Sequence, residues 1–179
     1  TPNASGRIDE RVAEAGGRVE RVRLGALHAG IAAANDSGAD DNAVVFAPEP
    51  WKHIHPTFGP WIDAVVSAAV LTGLIATEGL PALRSPVRER PYRKASVECA
   101  DSSKAPAMSI LESRLPEAFP DADVETEYGV RLTFSDASWT LVRPSGTESY
   151  LRIYAESDDV DALVASVRDV VEGASDDAA

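Results

Sequence analysis

Apolar and polar positions along the chain switch repeatedly between helical and strand spacing. Ile8 to Ala15 repeats as a short helix closed by Gly16-Gly17, and Val19-Glu20-Arg21-Val22 then alternates as a strand does. A helical stretch follows through Leu27 and Ile31, and Asn35 to Asn42 is polar and reads as a loop. Ala43-Val44-Val45-Phe46 is continuously apolar, the pattern of a strand buried in a parallel sheet. Pro48, Pro50, Pro56 and Pro60 then hold the chain away from regular structure, which predicts a constrained loop carrying Glu49, Lys52, His53 and His55. A long helix is expected from Trp61 to Thr77, with Ile62, Val65, Val66, Ala69, Val70 and Leu74 as its broad apolar side.

Residues 79–91 mix glycine, three prolines and charge, and this connection sets a boundary near residue 84. The first piece, 1–84, is expected to be a partial α/β domain. The second piece, 85–179, has a fuller pattern. Tyr92 to Cys99 reads as a strand, and Ser102 or Ser103 is placed to cap a helix with Met108, Leu111, Leu115 and Phe119 on one stripe. Val124 to Tyr128, then Val130, Leu132 and Phe134, alternate at strand period. After a turn at Ser135 to Ser138, Trp139 to Val142 returns; Leu151 to Tyr154 forms another strand. Val160, Leu163, Val164, Val167 and Val171 mark a closing helix before an acidic, alanine-rich tail. This order predicts an α+β domain, a mainly antiparallel sheet with helices on one face.

Composition narrows the partners. The chain has 179 residues, 44% of them hydrophobic, enough for a packed core. Its formal charge is -12, from 29 acidic against 17 basic residues, and lysine occurs only at 52, 94 and 104. Nucleic acid and anionic membranes recruit basic patches, so neither is expected as the main partner. The acid excess fits either adaptation to concentrated salt or an ordinary acidic protein. Cys99 is the single cysteine, which excludes an intrachain disulfide and suggests a reducing, cytoplasmic setting. The longest apolar run, near Ala64 to Ala76, is too short and interrupted to span a bilayer, and the chain opens on Thr1 without an export signal, as a processed or excised chain would.

The densest chemistry lies in Arg143-Pro144-Ser145-Gly146-Thr147-Glu148. Arginine offers a rigid fork of donors suited to phosphate oxygens, Ser145 and Thr147 add hydroxyls, and Gly146 lets backbone N–H groups approach the same anion. Arg152, on the following strand, is placed to close the site from the side. The plain alternative is a tight turn with Arg143 paired to Glu148 or Glu156.

The stretch Arg143 to Glu156 resembles the C-terminal phosphate-binding signature of the α-D-phosphohexomutase superfamily, Arg-Pro-Ser-Gly-Thr-Glu-Pro followed by a strand carrying another arginine. Ser149 stands where that pattern has its last proline. The resemblance covers essentially all of residues 85–173 and implies that Arg143, Ser145, Gly146, Thr147 and Arg152 grip the non-reacting phosphate of a hexose phosphate. In the family the other end of the substrate then faces a phosphoserine, and reorientation of a bisphosphorylated intermediate exposes the opposite end.

The first piece also resembles the family, as the latter part of its third domain, through Gly16 to Val19, Leu24-Gly25 and Phe46-Ala-Pro-Glu49-Pro50. The family sugar loop reads Gly-Gly-Glu-x-Ser-Gly. This chain keeps Glu49 but has Pro48, Trp51 and Lys52 at glycine, serine and glycine. Glu49 and Trp51 are therefore the sugar-binding candidates, Trp51 either stacking on a sugar or closing the loop. His53 and His55, with Glu49, offer either an incomplete metal cluster or a packed pair, and no metal site is assigned here.

The serine loop and the aspartate-rich magnesium loop of complete mutases find no counterpart in this sequence, so no catalytic residue is assigned. The resemblance implies Mg2+ for the complete enzyme, none bound by this chain, and upstream mutase domains as partners. Two functions follow as expectations: the substrate-binding C-terminal part of a phosphomannomutase- or phosphoglucomutase-like enzyme, or a non-catalytic sugar-phosphate-binding or regulatory relative. The salt-adapted reading makes its own prediction: the thermal midpoint rises between about 0.1 and 2 M KCl as repulsion is screened, and a midpoint insensitive to KCl refutes it.

Overall fold

The computed structural model describes residues 1–36, 44–49 and 52–179. They fall into two compact units, Thr1–Ala4 with Arg11–Arg88, and Ser5–Glu10 with Glu89–Ala179. Helix α1 (Arg7–Glu14) contributes residues to both.

In the first unit, α2 (Leu27–Asp36) precedes an antiparallel pair of short strands, β1 (Ala47–Glu49) and β2 (Lys52–Ile54), with Glu49 opposite Lys52. The stretch expected to be an irregular proline loop is therefore partly a hairpin. The strands expected at Val19 to Val22 and at 43–46 are not formed at the described positions, and Ala43 lies outside them. A strand needs a partner strand, and neither segment belongs to a sheet among the described residues. Val22 instead packs as an apolar wedge against the small cluster of Leu27, Ala47 and Ile54.

Helix α3 (Ala64–Glu78) starts three residues later than expected, because Asp63 caps it by accepting the N–H groups of Val65 (2.9 Å) and Val66 (3.0 Å). Its expected apolar side is not buried, and Val65, Leu71 and Leu74 remain exposed. A five-residue helix, α4 (Leu80–Arg84), occupies part of the expected connection.

The second unit is the better packed. Strands β3 (Tyr92–Glu98), β4 (Asp123–Glu125), β5 (Val130–Thr133), β6 (Trp139–Pro144) and β7 (Tyr150–Glu156) form one antiparallel sheet in the order β3-β7-β6-β5-β4. Period-two alternation sends Val130, Leu132, Val142, Leu151 and Ile153 to one face. There they meet Ala107, Leu111 and Leu115 of α5 (Lys104–Ala118) and Val167, Val171 and Ala174 of α6 (Val160–Asp177). The expected helix stripes thus pack as one layer, although Ser103, at the α5 start, makes no side-chain cap and α6 continues through most of the acidic tail.

The alternate positions, Trp139, Leu141 and Arg143 on β6 and Tyr150, Arg152, Tyr154 and Glu156 on β7, take the opposite face. Glu156 anchors one end of it, buried and accepting hydrogen bonds from Trp139 Nε1 (3.1 Å) and Ser5 Oγ (2.8 Å), with Arg7 Nε at 3.5 Å.

Before β5 the chain passes through Gly129 at φ 116°, where a Cβ would lie 2.5 Å from the Val142 carbonyl oxygen and 2.8 Å from Arg143 Cβ. Only glycine fits both the backbone conformation and the approach to β6. Gly129→Ala is expected to lower unfolding free energy by about 1–3 kcal/mol or more in a urea titration; an unchanged midpoint would contradict this contact.

Candidate functional site

The β6–β7 pairing sets the geometry of the site. Arg143 and Arg152 are direct cross-strand partners. Because Val142, Leu151 and Ile153 point into the helix-covered core, both guanidinium groups emerge on the other face, beside the connecting turn 145–149. Like charges directly opposite one another on a sheet destabilise it unless an anion or other acceptors offset them.

The two arginines differ in how they are held. Arg143 Nη2 donates to the Tyr154 hydroxyl at 2.9 Å, Nη1 approaches the Pro144 carbonyl at 3.5 Å, and the guanidinium lies 5.3 Å from the Tyr154 ring centroid. Arg143 pairs with no carboxylate among the described residues: Glu156 serves Trp139, Ser5 and Arg7, while Glu148 serves Arg152. The plain-turn alternative, in which one of those glutamates neutralises Arg143, is not the arrangement formed.

Arg152 Nη2 donates to Glu148 Oε2 (3.1 Å) and to the Tyr150 hydroxyl (3.0 Å), and its guanidinium sits 5.2 Å from the Tyr150 ring. Hydrogen bonding to Tyr154, and then to Tyr150, raises its pKa above the ordinary value against an opposing desolvation. Arg152 Nε is buried without a hydrogen-bond partner among the described residues. The Tyr150 hydroxyl first, and Arg152 after it, hold the exposed Glu148 carboxyl below the usual range.

The turn itself is closed by Ser145 N–H donating to the Tyr150 carbonyl (3.0 Å) and by Tyr150 N–H donating to the Glu148 carbonyl (2.9 Å). Ser145 is buried, and its hydroxyl stands 3.5 Å from the Thr147 N–H. Gly146 and Thr147 are exposed, and the Gly146 N–H has no partner among the described residues. Gly146 does not adopt the left-handed conformation, and a Cβ there would meet nothing within 4 Å. Neither backbone strain nor packing requires glycine at this position; what it leaves is open access to the turn's backbone.

The structure thus gathers Arg143, Ser145, Gly146, Thr147 and Arg152 around one end of the β6–β7 hairpin. It adds residues that the sequence did not mark as part of the site. Tyr150 and Tyr154 flank Arg152 at alternate positions of one strand, a period-two signal present in the sequence. Lys104, at the start of α5, donates to the carbonyls of Ser145 (2.8 Å) and Glu148 (2.6 Å), and its only sequence signal is the scarcity of lysine.

The sugar-loop candidates belong to the first unit. Glu49 is buried, accepting the Gly25 N–H (2.5 Å) on Oε1 and pairing with Lys52 Nζ (3.3 Å) through Oε2. Trp51 lies outside the described residues. His53 Nδ1 and His55 Nε2 both approach Ser67 Oγ, at 3.0 and 2.8 Å, and both rings pack against Phe46. No group of three His, Cys, Asp or Glu suited to a metal ion occurs among the described residues, so the Mg2+ implied for the complete enzyme finds no fitting donor set here. Likewise, no helix among the described residues is long and apolar enough to cross a membrane.

The sequence pattern of the phosphoglucomutase/phosphomannomutase C-terminal domain matches residues 97–178. A phosphopentomutase of Thermococcus kodakarensis is 41% identical over 158 residues, 84% of this chain and 32% of that protein. A probable phosphoglucosamine mutase of Methanopyrus kandleri is 40% identical over 161 residues, 87% of this chain and 33% of that protein. The fold is similar to that of parafusin, a phosphoglucomutase from Paramecium solved in an open form, with a TM-score of 0.67 and 18% identity over 97% of this chain and 36% of that one. This chain spans about a third of the length of the curated relatives it matches. It belongs to the α-D-phosphohexomutase superfamily, as a C-terminal part of that architecture.

Proposed function

We propose that this chain is the substrate-phosphate-binding part of a sugar-phosphate mutase, acting on hexose monophosphates in a phosphomannomutase- or phosphoglucomutase-like complete enzyme. The carrying observation is the facing pair Arg143 and Arg152 beside a turn with an unengaged Gly146 N–H. A phosphate dianion offers acceptors to both guanidinium groups and to the turn, and so offsets the repulsion that the register creates. The net charge of the chain is -12, which disfavours a polyanionic polymer as the partner of this cationic spot and leaves a small, doubly charged anion as the better fit.

Arg143 and Arg152 supply charge-assisted bonds, Ser145 and Thr147 supply hydroxyls, and Gly146 supplies a backbone N–H. Tyr154 and Tyr150 orient the two guanidinium groups. The grip acts on the phosphate that does not react, and binding energy from that remote group positions the sugar oxygen at the other end. Phosphoryl transfer, with Mg2+ supplying charge neutralisation, belongs in this reading to the domains of the complete protein that precede this part. Those domains are the chain's proposed partners, and Glu49 and Trp51 are its proposed contacts to the sugar.

Isothermal titration with glucose 6-phosphate and mannose 1-phosphate tests the site. Arg143→Ala is expected to weaken binding by about tenfold or more, the equivalent of one charge-assisted bond of roughly 1.5–3 kcal/mol. Its thermal midpoint should not fall, because the substitution removes a like-charge neighbour of Arg152. Wild-type affinity in the variant would overturn the assignment.

A further inference from the structure

We propose that Lys104 is a positioning residue for the phosphate turn, holding it in its anion-accepting shape without itself contacting the anion. This inference rests on the phosphate reading of residues 143–152. Lys104 Nζ donates to the carbonyl oxygens of Ser145 (2.8 Å) and Glu148 (2.6 Å) and pairs with Asp101 Oδ1 (2.6 Å). An ammonium has three donors, and these three acceptors occupy all of them. The Lys104 side chain is only 13% exposed, and its bond to the Ser145 carbonyl is partly shielded from water, which makes the loss of that bond more costly.

The two carbonyls that Lys104 takes up bracket Gly146 and Thr147. Carbonyl oxygens carry negative partial charge and repel a phosphate, whereas the N–H groups between them attract it. Binding both carbonyls to one cation removes the repulsive dipoles as competitors and fixes the loop between them. The exit of the turn is held as well, since the Ser149 carbonyl accepts the Cys99 N–H at 3.1 Å. Lys104 opens α5, whose Ala107, Leu111 and Leu115 are buried against the sheet. The turn is thereby referenced to the rigid core rather than to the hairpin alone.

This arrangement separates two kinds of lesion. Removing Arg143 deletes a ligand of the anion and leaves the loop in place, whereas removing the Lys104 ammonium leaves every ligand present and frees the loop. Full-chain wild type, Lys104→Met, Asp101→Asn and Arg143→Ala are compared by titration with inorganic phosphate and by amide hydrogen exchange. In Lys104→Met, the Ser145 amide should lose protection and phosphate affinity should fall by about tenfold, with Leu132 and Ile153 amides as protected as in wild type. Arg143→Ala should weaken phosphate binding by about tenfold or more while keeping Ser145 protection.

Wild-type affinity and Ser145 protection in Lys104→Met would overturn the proposal. If that variant loses its core protection as well, Asp101→Asn decides the question: it keeps the lysine but loosens it, and is expected to lower affinity by about threefold, with unchanged binding counting against the clasp. If wild type itself takes up no phosphate, the functional reading of the site fails, and the clasp is judged by Ser145 protection alone.

Discussion

The register of one hairpin governs this molecule's chemistry. Pairing β6 with β7 so that Arg143 faces Arg152 places two guanidinium groups side by side on a sheet surface, an arrangement that carries a cost in the absence of a counter-anion. Around it the structure arranges partial compensation. The Tyr154 hydroxyl receives Arg143, while Glu148 and the Tyr150 hydroxyl receive Arg152. The compensation is incomplete, since Arg143 has no carboxylate and Arg152 Nε has no acceptor among the described residues.

That register is imposed from the opposite face of the sheet. Val142 on β6 and Leu151 and Ile153 on β7 are fully buried against α5 and α6, and a one-residue slip would carry them to the polar face and the arginines into the core. Gly129 tightens the constraint from the neighbouring strand, where only a missing side chain permits the approach to Val142 and Arg143. Buried Glu156 fixes the far end through Trp139, Ser5 and Arg7. The facing arginines thus owe their placement to an apolar core on the other side of the sheet.

The two units show why legibility differed along the chain. In the second, the period-two alternation of Val130, Leu132 and Leu151, Ile153 and the helical stripes of α5 and α6 all refer to the same sheet face, so local pattern and tertiary burial agree. In the first, Val19 to Val22 carries a strand-like alternation but joins no sheet among the described residues, and the apolar α3 has no buried residue. A pattern predicts an element only when a complementary surface exists for it, and the described part of this unit offers little beyond the cluster of Leu27, Ala47 and Ile54.

The sequence by itself determined the donor set, because arginine, serine, glycine and threonine in one short turn followed by a strand arginine have a chemistry readable without coordinates. It also determined the helix and strand order of residues 92–177, since burial on one sheet face imposes a periodicity on the residues that form it. Tertiary structure alone decided which glutamate neutralises which arginine, because Glu148 and Glu156 are equivalent in composition and differ only in what surrounds them. It likewise decided that Lys104, 41 residues from Ser145 along the chain, closes on the turn. Such long-range contacts depend on helix packing that brings distant residues within hydrogen-bond reach, and no local pattern of residues encodes that distance.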